Sequence, residues 1–213
     1  MTIDMQQKLR AQYGLHEIDM GKLYVPSGNV FCCDPFLSNE VNTLDRIITS
    51  GYYNVRIWLG DFKDWGRRVA LAEMIISTNE FDNWDKATYS IDGKQFAGFR
   101  IDAGLACFMD EQTRKIFCNN VDKFYNHYPK GNFYSEVLAA EFLRFSGVDG
   151  GRDIGDWNMH YPIKGDPHNI AMFASGLGDG VYKAYWALNK HAQPVSLIAD
   201  FGLMDDLFFD VLS

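Results

Sequence analysis

The sequence predicts an α+β fold, in which one β-rich domain of mainly antiparallel strands and meanders carries two central helices. Short runs rich in β-branched and aromatic residues alternate with Gly, Pro, Asn and Asp, a pattern typical of strands joined by turns. Two stretches, about 111–124 and 133–145, instead carry apolar residues at helical spacing. Because 47% of the 213 residues are hydrophobic, the chain can bury a sizeable core, and we expect a single domain over residues 1–213.

The N-terminal part is predicted to contain a helix followed by a hairpin. Residues 2–12 carry a thin apolar stripe at helical spacing. Two β-like runs, 23–25 and 29–33, flank the turn residues 26–28, so we expect these runs to pair with each other. Residues 37–50 fit either a short helix or an irregular loop, and the sequence leaves both open.

The middle of the chain is predicted to supply further antiparallel strands. Strands at 52–59 and 68–77 are joined by the loop 60–66 and should pair with each other. A short strand at 86–91 ends at Asp92-Gly93, a dipeptide that favours tight hairpin turns.

The two central helices follow a β segment at 95–109, which forms one strand or two, broken at 102–104. Asp110 precedes the first helix and can cap it, because its side chain can accept hydrogen bonds from the first free amides. Residues 148–167 are crowded with Gly, Pro and Asp and predict a long loop. The apolar spacing of residues 202–213 suits a C-terminal helix.

The clearest strand pattern lies at 168–201, where we expect a β-meander of three consecutive strands. Its β-rich runs are 169–175, 181–188 and 194–201. The glycine-rich turn between the first two runs should need positive φ at Gly178 or Gly180. Tyr182 and Trp186 lie an even number of residues apart, so they share one face of the strand, and we expect that face to point to the core.

Charge and motif content exclude several classes of function. A net charge of -8 argues against a nucleic-acid-binding surface and permits a basic protein partner. No run approaches the roughly 20 apolar residues of a transmembrane helix, and the N-terminus lacks a secretory signal, so we expect a cytoplasmic protein. The four cysteines contain no CxxC spacing and are expected to be buried free thiols. Phosphate-loop, zinc and calcium-loop motifs are missing, so no cofactor is predicted.

Two acidic stretches that contain aromatic residues, 80–92 and 149–166, are candidates for a partner-binding surface. Acidic groups would steer a basic partner towards this surface, and tryptophan side chains would anchor it, although core packing is the commoner use of tryptophan. The residues predicted for this surface are Trp84, Asp85, Asp149, Asp153, Asp156 and Trp157.

Three other aspartates, Asp102, Asp179 and Asp200, lie at predicted strand ends or turns. If they converge, they could bind a divalent cation, with His168 as a general base. Capping of turns is the alternative use of such residues.

Four groups of short strings occur in order along residues 22–201. They are Pro26-Ser27-Gly28 with Cys33-Asp34-Pro35; Arg68-Val69-Ala70; Ile101-Asp102-Ala103-Gly104 with Cys107-Phe108-Met109-Asp110; and Gly178-Asp179-Gly180-Val181-Tyr182 with Tyr185-Trp186 and Asp200-Phe201. Together they resemble the bacterial family named domain of unknown function 4241. The chain departs from the pattern of that family at Leu177, where Trp is usual, and at 189–192, where an Asp-to-Gly turn is usual.

The resemblance implies a β-rich α+β domain rather than an activity. It marks as structural positions Asp34, Asp102, Gly178, Asp179, Gly180, Trp186 and Asp200. Similar proteins are small bacterial cytoplasmic proteins, some of them encoded near secreted toxins. With the acidic charge and the missing catalytic motifs, this leads to the hypothesis of a non-catalytic immunity protein that neutralises a basic toxin by direct binding. The alternatives are a metal-assisted hydrolase that uses the aspartates and a scaffolding module.

Overall fold

Two antiparallel β-sheets packed face to face form the centre of the computed structural model, which describes residues 3–146 and 156–204. Among these residues, the α-helices are α1 (Ile3–Tyr13), α2 (Glu111–His127) and α3 (Ala139–Ser146). The strands are β1 (His16–Val25), β2 (Val30–Cys33), β3 (Gly51–Phe62), β4 (Gly66–Ile75), β5 (Asn83–Lys86), β6 (Thr88–Ile91), β7 (Lys94–Ala97), β8 (Phe99–Ile101), β9 (Leu105–Asp110), β10 (Trp157–His160), β11 (Ile170–Ala174), β12 (Gly180–Leu188) and β13 (Pro194–Asp200). The predicted α+β class is confirmed.

The two sheets differ in size and in strand order. The larger sheet has seven strands in the order β1-β3-β4-β13-β12-β5, and β8 also pairs with β12. The smaller sheet has four strands in the order β10-β11-β9-β2. Strands β6 and β7 form a separate hairpin, whose turn residues Asp92 and Gly93 have φ of 49° and 75°. Positive φ at both positions is what a tight hairpin turn requires, so this predicted turn is confirmed.

Apolar side chains fill the space between the sheets and cover both outer faces. Trp186 of the larger sheet and Phe173 of the smaller one are fully buried in the cluster between them. Leu9 of α1 packs against the outer face of the larger sheet. Phe117 of α2 and Phe142 of α3 pack against the outer face of the smaller sheet. The layers are therefore helix, sheet, sheet and helix.

The first central helix begins where the sequence predicts. The carboxylate of Asp110 accepts a hydrogen bond from the backbone N–H of Gln112 at 2.7 Å, as an N-cap does. Its other oxygen accepts from the Ser27 hydroxyl at 2.6 Å, so the cap also ties α2 to the turn after β1. The second predicted helix consists of a π-helical turn, Tyr134–Leu138, followed by α3.

The predicted hairpin between residues 23–25 and 29–33 is wrong, although both strands exist. Strand β1 pairs with β3, and β2 pairs with β9 in the other sheet. All four residues of β2 are buried, because Val30 faces the cluster between the sheets while Phe31 faces the helices. A two-stranded hairpin could not cover both faces of such a strand.

The predicted meander is also partly wrong. Strands β12 and β13 form the expected hairpin, but β11 pairs with β9 and β10, so the chain crosses between the sheets after β11 instead of reversing. The expected positive φ is confirmed at Gly178, at 101°. The expected orientation is confirmed as well, because Trp186 is buried between the sheets and Tyr182 packs against the same cluster.

Three loop regions differ from the sequence-based expectations. Of the two alternatives for residues 37–50, the irregular one forms: Leu44 N–H donates to Val30 and Ile48 N–H donates to Gly28, which holds the segment along β2. The loop between β3 and β4 is a turn of residues 63–65, shorter than predicted. Strand β10 forms inside the predicted loop 148–167.

Several remaining features bear on the sequence-based predictions. The expected break between β8 and β9 is present. All four cysteines are free; three are buried and Cys118 is half-buried. The predicted C-terminal helix falls largely outside the described residues. None of the described helices is long and apolar enough to cross a membrane.

Candidate functional site

Asp34 is a structural residue at the end of β2. It is fully buried, and its carboxylate accepts hydrogen bonds from the backbone N–H groups of Phe36, Asp102 and Ala103 at 2.8, 2.9 and 2.8 Å. These bonds tie the end of β2 to the turn between β8 and β9. Three backbone donors use most of the acceptor capacity of one carboxylate, so Asp34 holds two loops together.

The three aspartates of the predicted cation site do not assemble with His168 into a ligand group. Three of the four residues contact a residue two positions away: Asp102 contacts Arg100 at 2.7 Å, Asp200 accepts from Gly202 N–H at 2.9 Å, and His168 contacts Asp166 at 2.5 Å. Asp179 accepts from Gly104 N–H at 3.0 Å, a bond between distant turns. Within residues 3–146 and 156–204, no group of three or more His, Cys, Asp or Glu could hold a metal ion. The aspartates therefore serve turns and an ion pair, which is the alternative that the sequence left open.

Asp156, one of the residues predicted for the partner-binding surface, lies inside the protein. Asp156 is only 5% exposed, and its carboxylate lies 3.2 Å from Nε of Arg67. Trp157 packs against the cluster between the sheets, with the Arg67 guanidinium 5.8 Å from its ring centroid. Asp156 is therefore hardly accessible to a partner, whereas Trp157 is half-buried, and its part in partner binding stays a prediction. Asp149 and Asp153 lie outside the described residues.

The other half of the predicted surface, on β5, lies at the edge of the larger sheet. The Trp84 ring is 4.8 Å from the Phe81 ring and packs against the outer cluster that α1 covers. Asp85 is half-exposed and lies 2.5 Å from a guanidinium nitrogen of Arg46. Trp84 and Trp157 belong to clusters on opposite faces of the larger sheet, so the structure does not bring the two predicted halves together.

An open cleft of about 330 Å³ lies beside β5, and we name it the acidic cleft. Residues 79–82 form one wall, and the turn between β12 and β13 forms the other with Asn189, Lys190, His191 and Gln193. The Asn189 side chain fixes that turn, because its oxygen accepts from the N–H groups of His191 and Gln193 at 2.9 and 3.1 Å. Asp82 N–H donates to Leu188 at 2.8 Å, which holds the two walls together.

The acidic cleft carries two carboxylates that are available to a cationic group. Glu80 and Asp82 are exposed, and no basic residue of the described chain lies within ion-pair distance of either. The neighbouring Phe81 and Trp84 supply aromatic surface. Sequence reasoning included Glu80 and Asp82 only as part of a stretch and missed the opposite wall.

Sequence reasoning also missed a polar group between α3 and β10. One oxygen of Glu141 accepts from the Asn158 amide and contacts Nδ1 of His160, both at 2.8 Å. Burial raises the pKa of Glu141, but the hydrogen bonds from His160 and Asn158 outweigh burial and lower that pKa below its ordinary value. This group fastens α3 to the edge of the smaller sheet. Only the tertiary structure places α3 against β10, so no local pattern predicts it.

Comparison with known proteins agrees with the short strings found in the sequence. No curated protein and no solved structure shows significant similarity to the chain. A family model described as a protein of unknown function, DUF4241, matches residues 23–199, which is most of the 213 residues. The chain therefore belongs to the DUF4241 family.

Proposed function

We propose that this protein is a non-catalytic binding protein that takes up a basic protein partner at the acidic cleft. The observation that carries this proposal is the exposure of Glu80 and Asp82, without ion pairs among the described residues, beside Phe81 and Trp84. Protein interfaces commonly combine a few aromatic anchors with a charged rim. Both parts are present at this edge of the larger sheet.

Charge supports the choice of a basic partner. The protein has a net charge of -8, so its overall field attracts cationic proteins. Glu80 and Asp82 would pair with lysine or arginine side chains of the partner, while Lys190 and His191 on the opposite wall limit how the partner can be oriented. In the finer form of the proposal, the partner is a bacterial toxin, the protein is its cytoplasmic immunity protein, and binding covers the active site of the toxin.

The test of the finer proposal is co-purification from the native cell, combined with growth protection against the product of the neighbouring gene. We expect the protein to co-purify with that product and to restore growth of cells that express it. If the protein neither binds nor protects, the immunity function is refuted.

The test of the cleft is a pair of charge-reversal variants. Glu80→Lys with Asp82→Lys should weaken partner binding about tenfold or more, mostly by slowing association, because like charges then face the partner. Asp64→Lys with Asp122→Lys is the matched control, since it changes the net charge equally at exposed positions outside the cleft. Calorimetry measures the binding affinity at about 50 and about 300 mM NaCl. The two salt concentrations separate the effect of net charge from the effect of direct contacts, because salt screens the long-range field more than it screens a contact. Equal losses in both variants would show that the cleft is not the binding surface.

A further inference from the structure

Two buried cysteines, Cys33 and Cys107, lie directly opposite each other on neighbouring strands of the smaller sheet. Cys33 ends β2 and is the register partner of Cys107 on β9. Both side chains belong to the cluster between this sheet and the helices, so they lie on the same face. Directly opposite residues of antiparallel strands have Cα atoms about 4.5 to 5.5 Å apart. Disulfides join Cα atoms about 4.4 to 6.8 Å apart, so the backbone already has the spacing that a disulfide requires.

The two thiols are also in contact, because a side-chain hydrogen bond joins them. The other two cysteines have different neighbours. Cys32 is the register partner of Phe108 and packs in the cluster between the sheets, and Cys118 lies on α2. The strand register therefore pairs Cys33 with Cys107 and with no other cysteine.

Burial protects the two thiols while the sheet is closed. Cys33 is 1% exposed, and Cys107 has no exposed surface. Burial also raises the pKa of Cys107, and the hydrogen bond with Cys33 raises it further, so the thiolate form that reacts with oxidants is scarce. Access therefore requires β2 to separate from β9. Strand β2 has four residues and lies at the edge of its sheet, and such an element can open locally while the rest of the domain stays folded.

We propose that Cys33 and Cys107 form a reversible cross-strand disulfide when β2 opens in the presence of a low-molecular-weight disulfide such as oxidised glutathione. The Cys33 thiolate first attacks one sulfur of the oxidant, which forms a mixed disulfide and releases one glutathione thiolate. The Cys107 thiolate then attacks the Cys33 sulfur and releases the second glutathione thiolate. The two protein thiols lose two protons and two electrons, and oxidised glutathione is reduced to two molecules of glutathione. Excess reduced glutathione reverses both steps.

The disulfide locks the end of β2 to β9. Asp34 already ties this end of β2 to the turn between β8 and β9 through two backbone hydrogen bonds, so the new bond reinforces an existing junction. The closed loop runs from residue 33 to residue 107 and includes β3 and β4 of the larger sheet. A cross-link over a long loop stabilises a fold mainly because it restricts the unfolded chain. Oxidation therefore raises the stability of the fold, independently of partner binding at the acidic cleft.

The test is incubation of the full chain with oxidised glutathione over a series of urea concentrations below the unfolding midpoint. The remaining thiols are then alkylated, and the protein is digested with trypsin. Trypsin releases Cys107 in peptide 101–114 and both Cys32 and Cys33 in peptide 23–46. We expect mass spectrometry to find these two peptides joined, and dithiothreitol to separate them. If the two peptides stay separate at every urea concentration, the proposal is overturned.

Three variants assign the cysteines that form the bond. Cys33→Ala and Cys107→Ala should abolish the joined peptides. Cys32→Ala is the matched control, because it makes the same substitution at the neighbouring buried position and should leave the joined peptides unchanged. In the wild type, fragmentation of the joined peptides between Cys32 and Cys33 gives the same assignment, so the result does not depend on the folding of the variants. A bond to Cys32 instead of Cys33 would refute the assignment.

Thermal unfolding measures the effect of the lock. The oxidised wild type should melt roughly 4 to 16 °C above the reduced wild type, the shift expected for an ordinary disulfide in a chain of this size. Cys33→Ala should melt at the same temperature with and without oxidised glutathione, and it also reports any effect of modification at Cys118. An oxidised wild type that melts at or below the temperature of the reduced protein would show that the disulfide does not fit the folded sheet.

Discussion

Replacement of Trp186 by alanine tests the central packing of the two sheets. Trp186 lies on β12, has no exposed surface, and belongs to the cluster between the sheets. Its Nε1 also donates to the Asp45 carboxylate at 3.0 Å, which links β12 to the irregular segment before β3. The substitution therefore removes both a large buried ring and a contact between distant segments.

The expected cost of Trp186→Ala is about 3 to 5 kcal/mol, the usual range for large-to-small changes in a core. The hydrogen bond adds little, because Asp45 is exposed and water can replace the lost donor. For a chain of 213 residues, a loss of this size lowers the melting temperature by roughly 6 to 20 °C. Urea unfolding followed by far-UV circular dichroism measures the free energy directly.

The matched control is Trp65→Ala, the same substitution in the turn between β3 and β4, where the side chain is 47% exposed. It should cost about 1 kcal/mol or less, because exposed substitutions away from the core have small effects. The loss of stability for Trp186→Phe should lie between the losses for Trp186→Ala and Trp65→Ala, since phenylalanine keeps part of the buried ring. A midpoint for Trp186→Ala equal to that of the wild type would refute the proposed packing of β12.

Three further substitutions test other parts of the fold. Gly178→Val should destabilise the protein by roughly 1 to 3 kcal/mol in urea unfolding, because φ there is 101° and a β-branched residue avoids that region. Glu73→Gln should cost roughly 2 to 4 kcal/mol in the same assay, because the fully buried carboxylate pairs with Arg56 at 2.6 Å. Glu141→Gln should reduce the loss of stability in acid: the folded pKa of Glu141 lies below its ordinary 4.5, so the carboxylate stabilises the fold above that pH and this contribution is lost as pH falls through the folded pKa.

Each of these substitutions has a control in the same chain. Gly180→Val serves for Gly178, because φ at Gly180 is not positive and a Cβ there would make only ordinary contact with Tyr182. Glu17→Gln serves for Glu73, because Glu17 contacts the same arginine but is 28% exposed. Glu136→Gln, at an exposed position, is the control for Glu141→Gln. Each expectation fails if the variant and its control lose equal stability or, for Glu141, show the same acid dependence.

The sequence by itself determined those elements whose causes are local. The cap of α2 follows from Asp110 and its neighbouring amides, and the turn between β6 and β7 follows from Asp92-Gly93. The shared face of Tyr182 and Trp186 follows from the alternation of side chains along β12, and both pack in the cluster between the sheets. In each case, the residues that fix the conformation lie within a few positions of one another, so the pattern can be read without knowing the fold.

Only the tertiary structure decided which strands pair and which surfaces meet. Strand β11 is apolar on both faces, because helices cover one side of its sheet and the second sheet covers the other. The residues next to β11 in sequence do not indicate which strands pair with it. The same holds for β2, which joins β9 across more than 70 residues. The acidic cleft is assembled from two segments far apart in sequence. Its geometry depends on long-range packing, and residue types and spacing alone do not specify it.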